Sequence, residues 1–395
     1  MIQSGAFWLA VLASAIVFWL LPLRFRTGFL ALASMGYLAT LAPFSVLALA
    51  GWTAAFYYLA PRAAGGDGAN NRLLSVLNLA ILGYLAYFKY IPPLVEAISP
   101  GPTEKQLIIP LGISYFTFKF IHYAVETARG NIQHRSLPDF FCYTFLFPTF
   151  TAGPIERFDH FIENRETSWQ VQSTVEGLTR IIHGLVKKLV IAEMLLRPLL
   201  RDVTPASFVL RLDLLPTWKI WAYLAVMFLI YYMDFSAYSD IAIGISRLYG
   251  IRIMENFNFP IVAPNISNFW KRWHMTLSGW CQTYVYMPVI GLTRNPYLAT
   301  VASFLVMGLW HSGTLTRVGW GLYQAAGVAA YMTWTRIKRA KRWRFMERAP
   351  WRYASIPITM MFVVPSTAFL IIEYQFPVYA AFRILARRVF LHLPA

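Results

Sequence analysis

The sequence predicts an all-α fold, a polytopic integral membrane protein with about 10–12 transmembrane helices and additional re-entrant segments. Three observations lead to this prediction: composition, hydropathy and the spacing of apolar runs. Hydrophobic residues make up 57% of the 395 residues and charged residues only 13%, about half the charged share of an average soluble domain. The mean hydropathy is +0.49. So few charged residues cannot cover the surface of a soluble protein of this length. Lipid is therefore expected to surround most of the surface of this protein.

Apolar runs of near-spanning length follow one another along the chain. A transmembrane helix needs about 20 mostly apolar residues, and the candidate runs are 7–23, 28–42, 45–60, 72–91, 107–128, 137–151, 177–200, 217–235, 281–291, 298–312, 318–335, 354–372 and 377–392. The first run lacks the basic start and cleavage site of a signal peptide, so it is expected to remain a spanning helix. Non-helical backbone at membrane depth must be covered by protein or line a cavity. Pro148, Gly153 and Pro154, in LFPTFTAGPIER, are therefore expected to form a re-entrant element.

The charged residues are biased towards the basic side. Lys and Arg number 35 against 18 Asp and Glu, a formal net charge of +17. No compact basic domain interleaved with polar residues is present, so nucleic acid is not an expected partner. Retention of Lys and Arg in cytoplasmic loops explains the excess more simply. The loops near 25, 65 and 130 are therefore expected inside, and the N-terminus outside, because Glu96 and Glu104 fall in the intervening connection 92–106.

The densest basic cluster is RIKRAKRWRFMERAPWR, residues 336–352. One interpretation is a cytoplasmic loop that only fixes topology. The other is a contact for anionic lipid or a docking surface for an acidic cytoplasmic partner. The sequence leaves both open.

Metal, disulfide and serine-hydrolase chemistry find little support. Cys142 and Cys281 lie in apolar or aromatic stretches and are expected to be free packing residues. No H-x-x-x-H or C-x-x-C spacing occurs, so no metal site is expected, and no G-x-S-x-G motif occurs either.

His311 is the first candidate catalytic residue. It ends the apolar run Val301 to Trp310, and Ser312 and Gly313 follow, so it is expected at the buried lip of a helix. A neutral imidazole there can take a proton from a hydroxyl group and return it to a leaving group. Apolar surroundings favour the neutral form. A hydrogen-bonded structural histidine explains the residue type equally simply.

His274 is the second candidate, in the run WKRWH. Lys271, Arg272 and Trp273 precede it, and a basic pair beside aromatic rings suits either a phosphate- or pantetheine-bearing donor or an interfacial anchor. Upstream, Asp234, Asp240 and Asn258 are polar residues in apolar surroundings, which often line a functional cavity. The two aspartates have a structural alternative, pairing with Arg247 or Arg252.

The order of several blocks resembles the membrane-bound O-acyltransferase family. The blocks are PLGISYFTFKFIHYAVETARG, FPTFTAGPIERFDHF, FSAYSDIAIGISRLYGI, ENFNFPIVAPNISNFWKRWHMTLSGW, MGLWHSG and WGLYQ, from about 110 to 324. Two bacterial branches are similar: the D-alanyl transfer proteins of teichoic acid D-alanylation, which FPTFTAGPIERF and WHMTLS resemble more closely, and the alginate O-acetylation proteins. Gln324 departs from the family, whose members commonly have a histidine there, and the segment between His274 and His311 is short.

The resemblance implies helices around a central funnel or tunnel, with His311 as the catalytic histidine and His274 as a second active-site histidine. It implies four regions: 1–106 as N-terminal transmembrane helices, 107–335 as the catalytic core, 336–353 as a basic cytoplasmic loop and 354–395 as C-terminal helices. Asn258, Lys271, Arg272, Trp273 and Asp240 are the expected substrate-binding residues.

The reaction implied is O-acyl transfer at a bacterial cytoplasmic (inner) membrane. A D-alanyl or acetyl group would pass from a cytoplasmic thioester, on an acyl carrier protein or coenzyme A, to a hydroxyl of an envelope polysaccharide or teichoic-acid-like polymer. A relay partner could accept it instead, and an accessory membrane or extracytoplasmic protein could complete the transfer. No bound cofactor is expected. The alternatives are a non-catalytic flippase for an acylated lipid or glycan and a scaffold for a polysaccharide synthase.

Overall fold

The computed structural model describes residues 4–63, 68–92, 110–150, 152–200, 203–211, 214–343 and 349–372. In chain order its α-helices are α1 (Gly5–Leu20), α2 (Leu23–Ala39), α3 (Pro43–Leu59), α4 (Gly68–Lys89), α5 (Ile113–Ala128), α6 (Leu137–Phe145), α7 (Phe158–Glu163), α8 (Val171–Leu185), α9 (Arg197–Leu200), α10 (Pro205–Leu210), α11 (Thr217–Leu248), α12 (Ile266–Trp270), α13 (Met275–Cys281), α14 (Met287–Thr293), α15 (Pro296–His311), α16 (Leu315–Ala340), α17 (Ala349–Val363) and α18 (Thr367–Ile372). Two π-helical stretches, Val186–Leu196 and Gln282–Tyr286, continue α8 and α13. No strand forms within these ranges, which confirms the all-α prediction.

Four described helical stretches are long and apolar enough to cross a bilayer: Pro43–Ala63, Arg72–Lys89, Thr217–Leu248 and Pro350–Ile372. Gly5–Leu20 and Pro296–His311 are apolar but shorter. An integral membrane protein is thereby confirmed, although fewer described helices reach spanning length than the 10–12 expected. The predicted run 377–392 lies outside the described residues.

The chain divides into two compact units. Unit 1 contains Met1–Leu185 and Ala237–Glu255, and unit 2 contains Val186–Ser236 and Asn256–Ala395. Within unit 2, α16 extends to Ala340, so the segment expected to be a basic loop begins as helix.

Unit 1 has an aromatic core and one very close helix contact. The Phe140 ring centroid lies 4.0 Å from that of Tyr123 and 5.6 Å from that of Phe158. Gly177 in α8 faces Gly244 in α11, where an added Cβ on Gly244 would lie only 2.5 Å from the Gly177 carbonyl oxygen. Only residues without side chains allow two helix backbones to approach this closely.

An irregular buried segment follows α6 in unit 1. Phe147–Thr149 form a buried 3-10 turn, and the backbone from 152 to 157 is non-helical. Gly153 has φ +107°, and a Cβ there would lie 3.3 Å from the Cβ of Ala242. The irregular backbone agrees with the expectation for this run, and its depth in the membrane remains a prediction.

Unit 2 contains a tight helical hairpin, α15 and α16. Gly308 of α15 abuts the Arg317 carbonyl, and a Cβ on Gly321 of α16 would lie 2.5 Å from the Phe304 carbonyl oxygen. The two glycines allow the backbones to touch, and this contact fixes the end of α15, which carries His311.

Candidate active site

His274 is buried, with 2% of its surface exposed. It is the residue before α13 and has φ 43° and ψ 54°, the left-handed conformation that residues other than glycine adopt at a cost of about 1–3 kcal/mol. The surrounding structure must hold it there, and a residue held against its preference is a candidate for function.

Asn256 supplies that hold. Its backbone oxygen accepts a hydrogen bond from Met275 N at 2.9 Å. Its side-chain Oδ1 lies 2.9 Å from His274 Nδ1 and accepts from Thr276 Oγ1, also at 2.9 Å. Because an amide oxygen only accepts hydrogen bonds, Nδ1 carries the proton and donates it. The imidazole therefore presents the lone pair of Nε2 to the interior.

The environment keeps this imidazole neutral. Burial lowers the pKa of His274 to about 3, because the charged form loses its hydration and gains no carboxylate. The Phe235 ring lies 4.7 Å away, edge to face. Within the part of the chain that the structure describes, Nε2 is buried and makes no hydrogen bond. A buried nitrogen with an unused lone pair can accept a proton or a hydrogen bond from a ligand.

Trp310 contacts both candidate histidines. Its ring centroid is 5.6 Å from that of His274 and 4.6 Å from that of His311. Trp320 of α16 also contacts His311, with ring centroids 5.4 Å apart. His274, Trp310, His311 and Trp320 form what we call the histidine–tryptophan cluster. The structure thus brings the two predicted histidines together within unit 2.

His311 is the exposed member of the cluster. It is the last residue of α15 and its side chain is exposed, not buried as the sequence suggested. The helix ends at this position and Ser312–Thr314 turn away into α16, so no further turn covers the imidazole. His311 is thus accessible at the surface of the protein, while His274 is enclosed.

A cavity of about 590 Å³ adjoins the cluster. Met275, next to His274, and Met307, one turn before His311, both line it, and so does Trp270, whose ring lies 5.8 Å from that of Trp320. Lys271 also lines the cavity, as do the hydroxyls of Ser267, Ser278, Thr300 and Ser303. Neither histidine is among its lining residues. The space suits a mostly apolar ligand.

The other predicted residues of unit 2 lie near the cluster but have structural partners. Arg272 donates to Asn268 Oδ1 at 2.8 Å and to the Asn258 backbone oxygen at 3.1 Å. Asn258 is exposed. Trp273 packs among aromatic rings, with Phe257 5.3 Å and Phe269 5.5 Å away.

Asp240 lies in unit 1, where it is buried and paired with Arg180 at 2.8 Å. Arg180 also contacts Glu255 at 2.7 Å. Asp234 contacts Lys188 at 2.9 Å. The alternative in which the two aspartates pair with Arg247 or Arg252 is therefore wrong. Their partners, Arg180 and Lys188, belong to the helical stretch 171–196.

Three residues near the site were not singled out from sequence: Asn256, Trp310 and Trp320. Trp310 and Trp320 stand in the quoted runs MGLWHSG and WGLYQ, beside or near His311. Asn256 stands two residues before Asn258, and only the pairing of its backbone with Met275 shows which asparagine reaches His274. Cys142 and Cys281 are buried and free, as expected. Among the described residues no group of His, Cys, Asp and Glu suits a metal ion.

Comparison with known proteins gives relatives in both expected branches. A protein described as a probable alginate O-acetylase from Pseudomonas aeruginosa is 32% identical over 80% of this chain. A teichoic acid D-alanyltransferase from Bacillus subtilis is 29% identical over 64%, and a peptidoglycan O-acetyltransferase from Helicobacter pylori is 29% identical over 67%. The matches cover 61%, 66% and 55% of these relatives, respectively.

The match to a family model is more extensive. The model of the membrane-bound O-acyltransferases matches residues 44–372, a range that includes the histidine–tryptophan cluster and the cavity beside it. The chain belongs to the membrane-bound O-acyltransferase family.

Proposed function

We propose that the protein is an O-acyltransferase that moves a D-alanyl or acetyl group from a cytoplasmic thioester to a hydroxyl of a cell-envelope polymer or relay partner. One observation carries the proposal: two histidines contact the same indole, one of them exposed and the other buried and neutral with a ring nitrogen that makes no hydrogen bond to the described residues. Family membership and the names of the relatives support the reaction class.

In this proposal His311 is the general base. Its imidazole takes the proton of the acceptor hydroxyl, and the oxygen attacks the thioester carbonyl carbon. The tetrahedral intermediate then collapses, the carbon–sulfur bond breaks, and the imidazolium returns its proton to the thiolate. An exposed imidazole suits this role because a polymer hydroxyl has to reach it.

His274 positions the reacting groups. Its Nε2 lone pair can accept a hydrogen bond from the donor or the acceptor, and Asn256 fixes the direction in which that lone pair points. Trp310 holds the two imidazoles at a set separation, and the buried aromatic surroundings limit access of water that would hydrolyse the thioester. The cavity beside Trp270 would hold the arm of the donor.

The remaining elements of the proposal concern location and partners. The distribution of Lys and Arg supports a bacterial inner-membrane protein with its N-terminus outside the cytoplasm. An acidic carrier protein would be attracted to the basic segment 336–352. In this proposal the protein needs no bound cofactor, because the thioester, carried by a carrier protein or by coenzyme A, is a substrate of the reaction.

The test is thiol release by purified full-length protein in phospholipid nanodiscs. Acetyl-coenzyme A and a D-alanyl carrier protein serve as donors and a polyhydroxyl polymer as acceptor. His311→Gln is expected to lower acceptor-dependent thiol release about 10²- to 10⁴-fold, while His134→Gln, an exposed histidine in unit 1, leaves it unchanged. Undiminished release by His311→Gln would remove His311 from the chemistry. Absence of release with every donor, together with movement of an acylated glycan across vesicles, would support a flippase instead.

A further inference from the structure

A second cavity in unit 2 lies along α16 and α17, and nothing in the proposed reaction uses it. Its volume is about 1030 Å³, at the upper end of the range for small-molecule sites. Small residues form much of one wall: Ala326, Gly327 and Ala330 on α16. Both alanines are exposed and stand four residues apart, hence on one face of the helix. We call this cavity the α16–α17 groove.

One end of the groove is closed by aromatic packing. The rings of Tyr323 and Phe362 stack with centroids 4.4 Å apart and planes at 10°. Tyr323 Oη donates to the Phe362 backbone oxygen at 2.7 Å. The Phe362 ring also fills the space beside Gly327 that a larger residue would occupy.

The hydroxyl groups in the walls between the two ends already have hydrogen-bond partners within the protein. Ser355 Oγ donates to the Arg352 backbone oxygen at 2.7 Å, and Thr359 Oγ1 donates to the Ser355 backbone oxygen at 2.9 Å. These hydroxyls are therefore satisfied by their own helix. Asn265 also lines the groove, and its Oδ1 accepts from Asn268 N at 2.8 Å. The remaining side chains between the two ends are apolar or aromatic, such as Ile358 and Trp334. A hydrocarbon chain suits such a surface, and a sugar does not.

The opposite end is basic. Lys338 of α16 and Arg352 of α17 line it, and no acidic residue is among the described lining residues. Along α16, Lys338 stands 15 residues after Tyr323, about 22 Å at 1.5 Å per residue, comparable with the depth of one leaflet including its headgroups.

Amphipathic aromatic side chains surround the basic end. Tyr331, Trp334 and Trp351 line it, and the Trp334 ring lies 5.7 Å from that of Trp343. Tryptophan and tyrosine prefer the boundary between hydrocarbon and headgroups. The groove therefore runs from a headgroup level to an apolar interior.

We propose that the α16–α17 groove binds an anionic phospholipid, with an acyl chain along Ala326 and Ala330 and the phosphate between Lys338 and Arg352. Basic pockets between membrane helices bind anionic headgroups in this way. The groove shares Lys338 and Arg352 with the segment proposed to attract a carrier protein but lies apart from the histidine–tryptophan cluster. Lipid binding is measured without donor or acceptor, so its failure and the failure of the acyl-transfer proposal are distinguishable.

The experiment measures lipid binding by native mass spectrometry of the delipidated full-length protein in neutral detergent. Palmitoyl-oleoyl phosphatidylglycerol and the matching phosphatidylcholine are the probes. Phosphatidylglycerol is expected to bind more tightly, and Lys338→Gln with Arg352→Gln is expected to weaken it about 10- to 30-fold, from roughly 1 kcal/mol per basic residue. Ala330→Phe, or Ser355→Phe from the opposite wall should the first variant fail to fold, is expected to block the chain and weaken both lipids.

The matched control removes two charges from the same basic segment outside the groove. Arg339→Gln with Lys341→Gln alters residues that are exposed and do not line it. Equal weakening by this control would show diffuse attraction and overturn the site. Equal affinity for the two lipids would overturn the anionic assignment, and unchanged binding in both folded phenylalanine variants would place the lipid elsewhere.

Discussion

Each unit contains a histidine whose Nδ1 is hydrogen-bonded to a side-chain oxygen, but the oxygen belongs to a carboxylate in unit 1 and to a carboxamide in unit 2. In unit 1, His160 Nδ1 lies 2.7 Å from Oε1 of Glu156, a carboxylate. In unit 2, His274 Nδ1 lies 2.9 Å from Oδ1 of Asn256, a carboxamide. The hydrogen bond to Glu156 raises the pKa of His160 despite partial burial, whereas burial without a counter-charge lowers the pKa of His274 to about 3.

The comparison distinguishes buried ionisable groups that have a charged partner from a buried ionisable group that has none. Unit 1 pairs several of its buried charges, Arg247 with Glu166 and Glu176, and Arg180 with Asp240, while the buried Lys119 donates to the Tyr143 backbone oxygen at 2.8 Å. The neighbouring His122, whose Nε2 lies 3.2 Å from Asp159 Oδ1, lowers the pKa of the Asp159 carboxyl to about 2. In the histidine–tryptophan cluster, the buried imidazole keeps a nitrogen available. In the described part of unit 1, Arg180 Nε, Arg247 Nε and Glu166 Oε2 also make no hydrogen bond, but each belongs to a charge-paired group, whereas burial without a counter-charge keeps His274 neutral.

Asn256→Asp would give His274 the carboxylate partner that His160 has in unit 1, and it has the largest expected effect on rate among the changes that test this comparison. The carboxylate would raise the pKa of His274, so its Nε2 would become protonated and lose its lone pair. Thiol release at pH 7 is expected to fall about 100-fold and to recover partly towards pH 9. The measurement is the pH–rate profile in nanodiscs.

Asn256→Ala is the control for that profile. It removes the hydrogen bond without adding charge, so its loss of rate is expected to be similar at every pH. A pH-independent loss in Asn256→Asp as well would show that Asn256 matters only for folding.

Glu156→Gln makes the opposite exchange and has a smaller expected effect. The Glu156 carboxylate also accepts from Met254 N at 2.7 Å and from Arg157 N at 3.0 Å, so an amide NH₂ group would face a donor at one of these positions. The free energy of unfolding is expected to fall by about 1–3 kcal/mol, measured by thermal unfolding in detergent.

The pH dependence of Glu156→Gln sharpens the comparison. A raised folded pKa for His160 means that its stabilisation is present below the unfolded pKa and is lost as pH rises through the folded value. Removing the carboxylate should flatten that part of the stability profile, while thiol release per folded molecule changes only a few-fold. A loss of rate as large as that of His311→Gln would contradict the division between the two units.

The last test concerns the unsubstituted protein, in which His274 makes the free energy of unfolding depend on pH. Its folded pKa is about 3 and its unfolded value about 6.5. The unfolded state therefore binds more protons between these values, and stability falls as pH decreases below 6.5 by up to about 1.4 kcal/mol per pH unit. His274→Gln should remove this slope and His134→Gln should not. An unchanged slope in His274→Gln would assign it to other groups.

The sequence allowed the fold class and the family to be predicted, because the composition indicates a lipid environment and the order of the motifs indicates the family. It also singled out His274 and His311, which both contact Trp310, and their catalytic roles stay predictions. It did not allow the partners to be predicted. Asp240 pairs with Arg180, 60 positions away in the chain, because α8 and α11 touch at glycines. Asn256, and not Asn258, reaches His274 because of a backbone pairing that no local pattern encodes. His311 is exposed because the turn after α15 leads away from it.

The helix contact at Gly308 has a consequence for the spacing of the motif. Gly308 and His311 are three residues apart on α15, and each residue advances the helix by about 100°. Because Gly308 must face Arg317, this contact fixes the rotation of α15 about its axis and therefore the direction in which the His311 side chain points. Inserting one alanine between them would turn His311 by about 100° away from Trp320 with almost no change in its distance along the axis. The motif MGLWHSG therefore specifies a rotational phase as much as a set of residue types.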